Sequence, residues 1–292
     1  MTLSRTQVLD LMARHQLHPS RALGQNFVVD GNTVRRIARL AGVGPGDRVV
    51  EIGAGLGSLT LALAETGAWV TAVELDRHLI PALREALDPV LAPDLVAGAT
   101  KSGARTGGGR VEVIEGDALT LDWASVLGDH DGWVLVANLP YNVATPLVAD
   151  LLDGVPAIAR MLVMVQREVG ERLAAKVGDD AYGAVSVKVA YWATAKVVGR
   201  VPATVFVPQP KVESALVAIE RRPQPATDAD FDRLFELVRT GFGQRRKMLR
   251  RALAGVIEAD AFECAGVRPE ARAEELDVET WGRLAACAPS PS

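Results

Sequence analysis

The chain has little cysteine. Its 292 residues contain two, Cys264 and Cys287, and no CxxC pair. Neither a disulfide framework nor a thiolate metal site is expected, and a reducing, cytoplasmic setting fits. Histidine is also scarce. Of His15, His18, His78 and His130, only the first two are close, with no acidic or thiol ligand beside them. No metal is therefore expected. No uncharged apolar run is long enough to span a bilayer, which argues against a membrane protein. The N-terminus carries Arg5, Asp10 and Arg14 in an amphipathic pattern, unlike a signal peptide. Lysine supplies only 6 of the 32 basic residues. Arginine suits phosphate forks and base stacking, but a GC-rich coding sequence explains the bias as well. The net charge of −4 offers no global attraction for nucleic acid, so any such surface must be a local patch.

What is present is a rhythm of short apolar runs and amphipathic stretches. Strands are expected at Arg48–Ile52, Trp69–Glu74, Val111–Glu115, Trp133–Ala137 and Met161–Gln166. Helices are expected at Ser58–Glu65, Arg77–Leu87 and Thr145–Leu152. This alternation predicts an α/β fold, a mostly parallel sheet covered on both faces. Lys196–Arg200 and Ala215–Arg221 read as an edge pair of strands, antiparallel to each other. Arg222–Asp228 reads as a linker, and Phe231, Leu234, Phe235 and Val238 then follow helical spacing. The expected division is a catalytic domain of residues 1–222 and a small all-helical domain of 223–292. A Gly-rich stretch at 92–110 reads as a flexible surface insertion.

The run Glu51-Ile52-Gly53-Ala54-Gly55-Leu56-Gly57 follows the first expected strand and opens a helix. Glycines there let a ligand approach the backbone. The dinucleotide pattern GxGxxG fails because position 58 is Ser, which disfavours a pyrophosphate ligand and hence a dehydrogenase. Glu74 closes the second strand, where a carboxylate accepts both hydroxyls of a ribose. Asp117, at the end of the third, can accept a hydrogen bond from an adenine amine. Either acid alone reads equally as a helix cap. Both together with the Gly turn describe an adenosine ligand without phosphates, and S-adenosylmethionine fits.

Asn138-Leu139-Pro140-Tyr141 stands directly after the apolar run Trp133–Ala137. The Asn138 side-chain oxygen and the Leu139 carbonyl can each accept an N6–H of adenine, turning the nitrogen lone pair towards a sulfonium methyl. Pro140 stiffens the loop, and Tyr141 can stack on the base. The bland alternative is an Asn-Pro turn. Phe206, in the Pro-fixed loop Phe206–Val212, is expected to cover the other face of the base, with core packing as its alternative.

The stretch 240–253 carries Arg245, Arg246, Lys247, Arg250 and Arg251 and no acid, a local +5. On a helix these charges would meet RNA phosphates, or simply form a solvated face.

Assembled, these motifs resemble the ribosomal RNA small-subunit adenine dimethyltransferases from Leu23 to about Leu253. The likeness includes Leu23-Gly24-Gln25-Asn26-Phe27, the Gly turn, Glu74-Leu75-Asp76, Gly116-Asp117-Ala118, Asn138–Asn142, Phe206–Ser214 and Phe242–Arg250. The resemblance implies a Rossmann-like class I S-adenosylmethionine-dependent methyltransferase. It would act as a monomer on small-subunit rRNA in the assembling subunit, dimethylating two adjacent adenines near the RNA 3′ end. It also implies cofactor contacts at Asn26, Val28, Gly53, Gly55, Glu74, Asp117 and Asn138; the family often has Leu where Val28 stands. Rival readings are a large-subunit methyltransferase of macrolide-resistance type, a DNA adenine methylase, and an assembly factor keeping the fold without catalysis.

Overall fold

The computed structural model describes residues 2–91 and 111–288, and the expected insertion at 92–110 lies outside the described residues. In chain order the elements are α1 (Arg5–Arg14), β1 (Phe27–Val28), α2 (Gly31–Ala41), β2 (Arg48–Ile52), α3 (Ser58–Glu65), β3 (Trp69–Glu74), α4 (Ile80–Leu87) and β4 (Val111–Glu115). There follow α5 (Trp123–Leu127), β5 (Trp133–Asn138), α6 (Ala144–Gly154), β6 (Ile158–Gln166), α7 (Arg167–Ala174), α8 (Ala184–Trp192), β7 (Ala193–Val201), β8 (Phe206–Val207) and β9 (Ser214–Arg221). The chain closes with α9 (Phe231–Gly243), α10 (Leu249–Ala252), α11 (Asp260–Cys264) and α12 (Val278–Cys287).

Seven strands form one sheet in the order β4-β3-β2-β5-β6-β9-β7. The pairs β2–β3, β2–β5, β3–β4 and β5–β6 are parallel. Parallel strands covered on both faces read as unbroken apolar runs, and every residue from Trp133 to Ala137 is buried. β7 and β9 are sheet neighbours on the far side of β6. The strand order reverses at β2, which is flanked by β3 and β5. In open α/β sheets the crevice beyond the carboxyl ends of such strands is where ligands bind. A separate two-stranded antiparallel ladder pairs Phe27 with Val207 and Val28 with Phe206.

The helices obey the same chemistry. α2 is capped by the Asp30 side chain, buries Val34, Ile37, Ala38 and Ala41, and ends at Gly42 in the left-handed region. α3 is buried along almost its whole length, as suits a helix lying against the sheet.

The chain forms two compact units, one of residues 1–170 and 197–219, the other of 171–196 and 220–292. The division at 219/220 lies within three residues of the expected one at 222/223, and residues 171–196 fall in the second unit. Tyr182, Val187 and Tyr191, on and just before α8, pack in one apolar cluster with Leu234, Phe235, Leu237 and Trp281. Burial of that aromatic surface assigns α8 to the helical unit. The same unit buries Arg233, which donates to the carbonyls of Ala288 (2.6 Å) and Val256 (2.7 Å) and pairs with Glu236 (2.7 Å). Such satisfaction is what a buried guanidinium requires. Cys264 and Cys287 are joined in a disulfide, with Cα atoms 5.9 Å apart. No disulfide framework is expected from two cysteines, yet this one bond forms because α11 and α12 pack together and bring the two side chains into bonding range. No helix among the described residues is long and apolar enough to cross a membrane.

Candidate active site

An open cavity lies at the carboxyl ends of β2, β3, β4 and β5. Its wall includes Asn26, Val28, Gly53, Gly55, Glu74, Asp117, Asn138, Leu139, Pro140 and Tyr141. Four separate strand ends and the strap before β1 thus supply one space. The turn after β2 needs glycine. Gly55 has φ +58°, and a Cβ there would sit 3.1 Å from the Phe27 ring.

Glu74 is buried and already organises the site. Its two oxygens accept the N–H of Gly55 (2.7 Å) and of Asp76 (2.9 Å), fixing the turns after β2 and β3 against each other. Burial pushes its carboxyl up from the ordinary value, against the pull of the N–H groups of Asp76 and Gly55. A carboxylate has further lone pairs, so ribose hydroxyls can still be accepted. Asp117 accepts the Leu119 N–H at 3.0 Å inside a turn and caps no helix, α5 being capped by Asp122, and it stays on the cavity wall. Leu75, next to Glu74, and Leu119, two residues after Asp117, are 49% and 46% exposed and also line the cavity. Exposed apolar side chains beside two acceptors suit a purine nucleoside, whose flat faces are apolar and whose edges donate. The residues present therefore fit the adenosine part of S-adenosylmethionine.

Asn138 ends β5 with its Nδ2 donating to the Asn26 carbonyl at 3.0 Å. That bond fixes the amide flip and leaves Oδ1 as the acceptor. The Leu139 N–H donates to the Met164 carbonyl (3.0 Å), and Pro140 accepts from Val143 and Ala144, so the loop is held by β6 and by the start of α6. Tyr141 is half-buried, its hydroxyl 3.0 Å from the Ser214 Oγ. Ser214 is fully buried and orients the ring, a role that its place in the Phe206–Ser214 run did not disclose.

Phe206 is a correction. It is 1% exposed, packs in the main core cluster with Val34 and Ile37, and is absent from the cavity wall. Its pairing with Val28 carries it into the core, so core packing prevails over base stacking.

Glu51 opens the Gly-rich motif at the end of β2. It is buried on the cavity wall, and its Oε2 has no hydrogen-bond partner among the described residues. Burial pushes its pKa up to about 8. The folded chain therefore holds a proton that the unfolded chain releases near 4.5. This stabilisation is complete below that value and is lost as pH rises through about 8. The ligand-free protein should lose on the order of a few kcal/mol of stability from this group between pH 5 and 8. Glu51→Gln should flatten the profile of melting temperature against pH. Parallel profiles for variant and parent would contradict the assignment.

The five cations of 240–253 do not lie on one helix, which corrects that expectation. α9 ends at Gly243, the chain turns through 244–248, and α10 spans four residues. All five are exposed. Arg245 pairs with Glu274 (2.5 Å) and Arg250 with Glu270 (3.1 Å). Lys247 donates to the Gln244 side chain at 2.7 Å. Arg246 and Arg251 have no ion pair among the described residues.

Comparison with known proteins adds lineage to geometry. A family model described as ribosomal RNA adenine dimethylase matches residues 16–288. The chain is 46% identical to the ribosomal RNA small subunit methyltransferase A of Kineococcus radiotolerans, over 98% of this chain and 92% of the relative. It is 46% identical to the protein of that name from Thermobifida fusca, over 97% and 95%. Among solved structures, the 23S rRNA methyltransferase ErmE is similar with TM-score 0.65 and 26% identity, over 90% of this chain and 99% of that one. A dimethyladenosine transferase from Plasmodium falciparum is similar in fold, with TM-score 0.69 and 24% identity over 87% and 94%.

Proposed function

The chain belongs to the ribosomal RNA adenine dimethylase family, and from that membership we propose that it methylates N6 of two adjacent adenines near the 3′ end of small-subunit rRNA. It is an S-adenosylmethionine-dependent methyltransferase by that membership. It works as a monomer in the cytoplasm on the assembling small subunit. The observation that carries the chemical reading is the Asn26–Asn138 hydrogen bond, which commits the Asn138 oxygen to accepting from an amine on the cavity side.

When bound, S-adenosylmethionine would supply an electrophilic sulfonium methyl with a neutral thioether as leaving group. Everything else is the work of this chain. Glu74 takes the ribose hydroxyls and Asp117 the adenine amine of the cofactor. Asn26, Val28, Gly53 and Gly55 shape the wall through backbone and small size. Asn138 Oδ1 and the Leu139 carbonyl take the N6–H groups of the target base, so that its lone pair leaves conjugation with the ring. Tyr141 stacks on the base, worth about 1–3 kcal/mol. The target must leave its own stack to reach Tyr141. No side-chain base is needed before transfer, because the methylated ammonium is strongly acidic and releases its proton to water.

The helical unit holds RNA backbone through the basic turn and α10. Phosphate contacts position rather than specify. Neutralising Arg246, Lys247 and Arg251 together should reduce the slope of log affinity against log salt by about 2 to 3. An unchanged slope would remove this turn from the RNA surface.

Identity near 46% along the chain to small-subunit enzymes, against 26% to a large-subunit enzyme, favours the small subunit. The test is transfer of labelled methyl to small subunits lacking rRNA methylation, with large subunits and duplex DNA in parallel. Label in small subunits alone is expected. Label in large subunits would move the protein to the resistance-type reading. Tight subunit binding without label would make it an assembly factor.

A further inference from the structure

Gln25 belongs to none of the roles assigned so far, yet it sits at the junction of the two halves of the site. Its Oε1 accepts the Ser20 N–H at 2.7 Å, and its own N–H donates to the Ser20 carbonyl at 3.1 Å. Its Nε2 donates to Asp76 Oδ2 at 2.8 Å. Asp76 lies in the turn after β3, and its N–H is the one held by Glu74 at 2.9 Å. On the other side, the Asn26 carbonyl receives the Asn138 amide at 3.0 Å. Among the described residues, Gln25 is the one side chain of Ser20–Asn26 that hydrogen-bonds outside this strap.

The strap touches the target loop elsewhere too. The Ala22 carbonyl accepts the Asn142 amide at 3.5 Å. Gly24 lies so near that loop that a Cβ would stand 3.1 Å from Asn142 Oδ1 and 3.2 Å from Pro140 Cβ. These contacts set where the strap lies against the target loop, and on the far side of Asn26 the chain is set by the pairing of Phe27 with Val207. Gln25, one residue earlier, holds the near side by tying the strap to a side chain in the turn after β3.

We infer that Gln25 is a positioning residue for methyl transfer: it holds the Asn26 carbonyl, which in turn holds the Asn138 amide with its oxygen towards the target amine. The inference rests on the transfer role given to Asn138. The physical case is the symmetry of a side-chain amide. Its two ends have nearly the same shape, so packing alone barely distinguishes them. With the flip reversed, Asn138 would present N–H to the N–H of adenine, and the polarising acceptor would become a repelling donor. A single backbone carbonyl selects the productive flip, and Gln25, next to it in the chain, is the side chain that ties this strap to the turn after β3. The link also couples the sites: the turn that orders Glu74 for ribose is bonded, through Gln25, to the group that orders the target.

Gln25→Glu keeps the shape and the bond from Ser20 but sets a carboxylate against Asp76. Gln25→Met keeps the size and loses both side-chain bonds without adding charge. Each is assayed in single turnovers on small subunits lacking rRNA methylation, with cofactor and subunit both saturating. Affinity for S-adenosylhomocysteine and melting temperature are measured on the same preparations. Transfer at saturation should fall at least about tenfold in both, since small misplacements of reacting groups carry large rate costs. Affinity for S-adenosylhomocysteine should stay within about threefold, which a loss confined to ground-state binding would not allow. Adding Gln25→Met to Asn138→Ala should cause no further loss, because the two act as one unit. Rates within twofold of the parent, losses that vanish on saturating cofactor, or full additivity with Asn138→Ala would each overturn the inference. An unmodified protein that transfers nothing would instead overturn the reading of function, and this proposal with it.

Discussion

Asn138→Ala should lower methyl transfer at saturating substrates about 10³-fold, the scale seen when one preorganised polar group at a reacting atom is removed. Adenine N6 is a poor nucleophile because its lone pair is shared with the ring. The acceptors at Asn138 and Leu139 offset that, and the second is a backbone atom no substitution deletes. Asn138 is therefore the one removable half of the device. Its amide is fixed by the Asn26 carbonyl at 3.0 Å, so the parent spends nothing on ordering it during reaction. Cofactor affinity should fall by less than about tenfold, because Glu74 and Asp117 are untouched. Near-normal turnover of this variant would refute the polarising role. A loss wholly in affinity would reduce Asn138 to a cofactor contact.

Glu74→Gln should weaken cofactor binding by about 100-fold, or roughly 3 kcal/mol, with a smaller effect on turnover at saturation. Hydrogen bonds to a charged acceptor are the stronger kind, and Glu74 offers two ribose hydroxyls such an acceptor in a buried setting. The same oxygens hold the Gly55 and Asp76 N–H groups. An amide in their place turns an N–H towards one of them, so the β2 and β3 turns lose mutual register as well. Calorimetric titration with S-adenosylhomocysteine measures the effect. Unchanged affinity would mean that Glu74 only ties the two turns together.

Much of the fold was legible because the central strands are buried on both faces, while β4 at the sheet edge buries only Val111. Arg48–Ile52, Trp69–Glu74 and Val111–Glu115 stand where the apolar runs place them. The site was legible in so far as ligand residues of such sheets gather at strand ends, which spacing reveals. What escaped depends on contacts distant in sequence. Phe206 is drawn into the core by pairing with Val28, nearly two hundred residues earlier, and no local pattern announces it. Arg245 and Arg250 find Glu274 and Glu270 across a fold of the helical unit, so a run without local acids still acquires partners. α8 joins the helical unit because Tyr191 meets Phe231 and Phe235, with ring centroids 5.5 Å apart in each pair. Gln25 carries no chemistry of its own. Its importance lies in bonds to Ser20 and Asp76 that only the folded chain makes.

The central claim is that this site dimethylates N6 of adenine in small-subunit rRNA. Its most direct test is nucleotide-resolution mapping, with nucleoside mass spectrometry, of RNA from undermethylated small subunits treated with protein and S-adenosylmethionine. The account predicts N6,N6-dimethyladenine at two adjacent positions near the 3′ end and nowhere else. Methylation at another base, at another atom of adenine, or only on large-subunit RNA would contradict it.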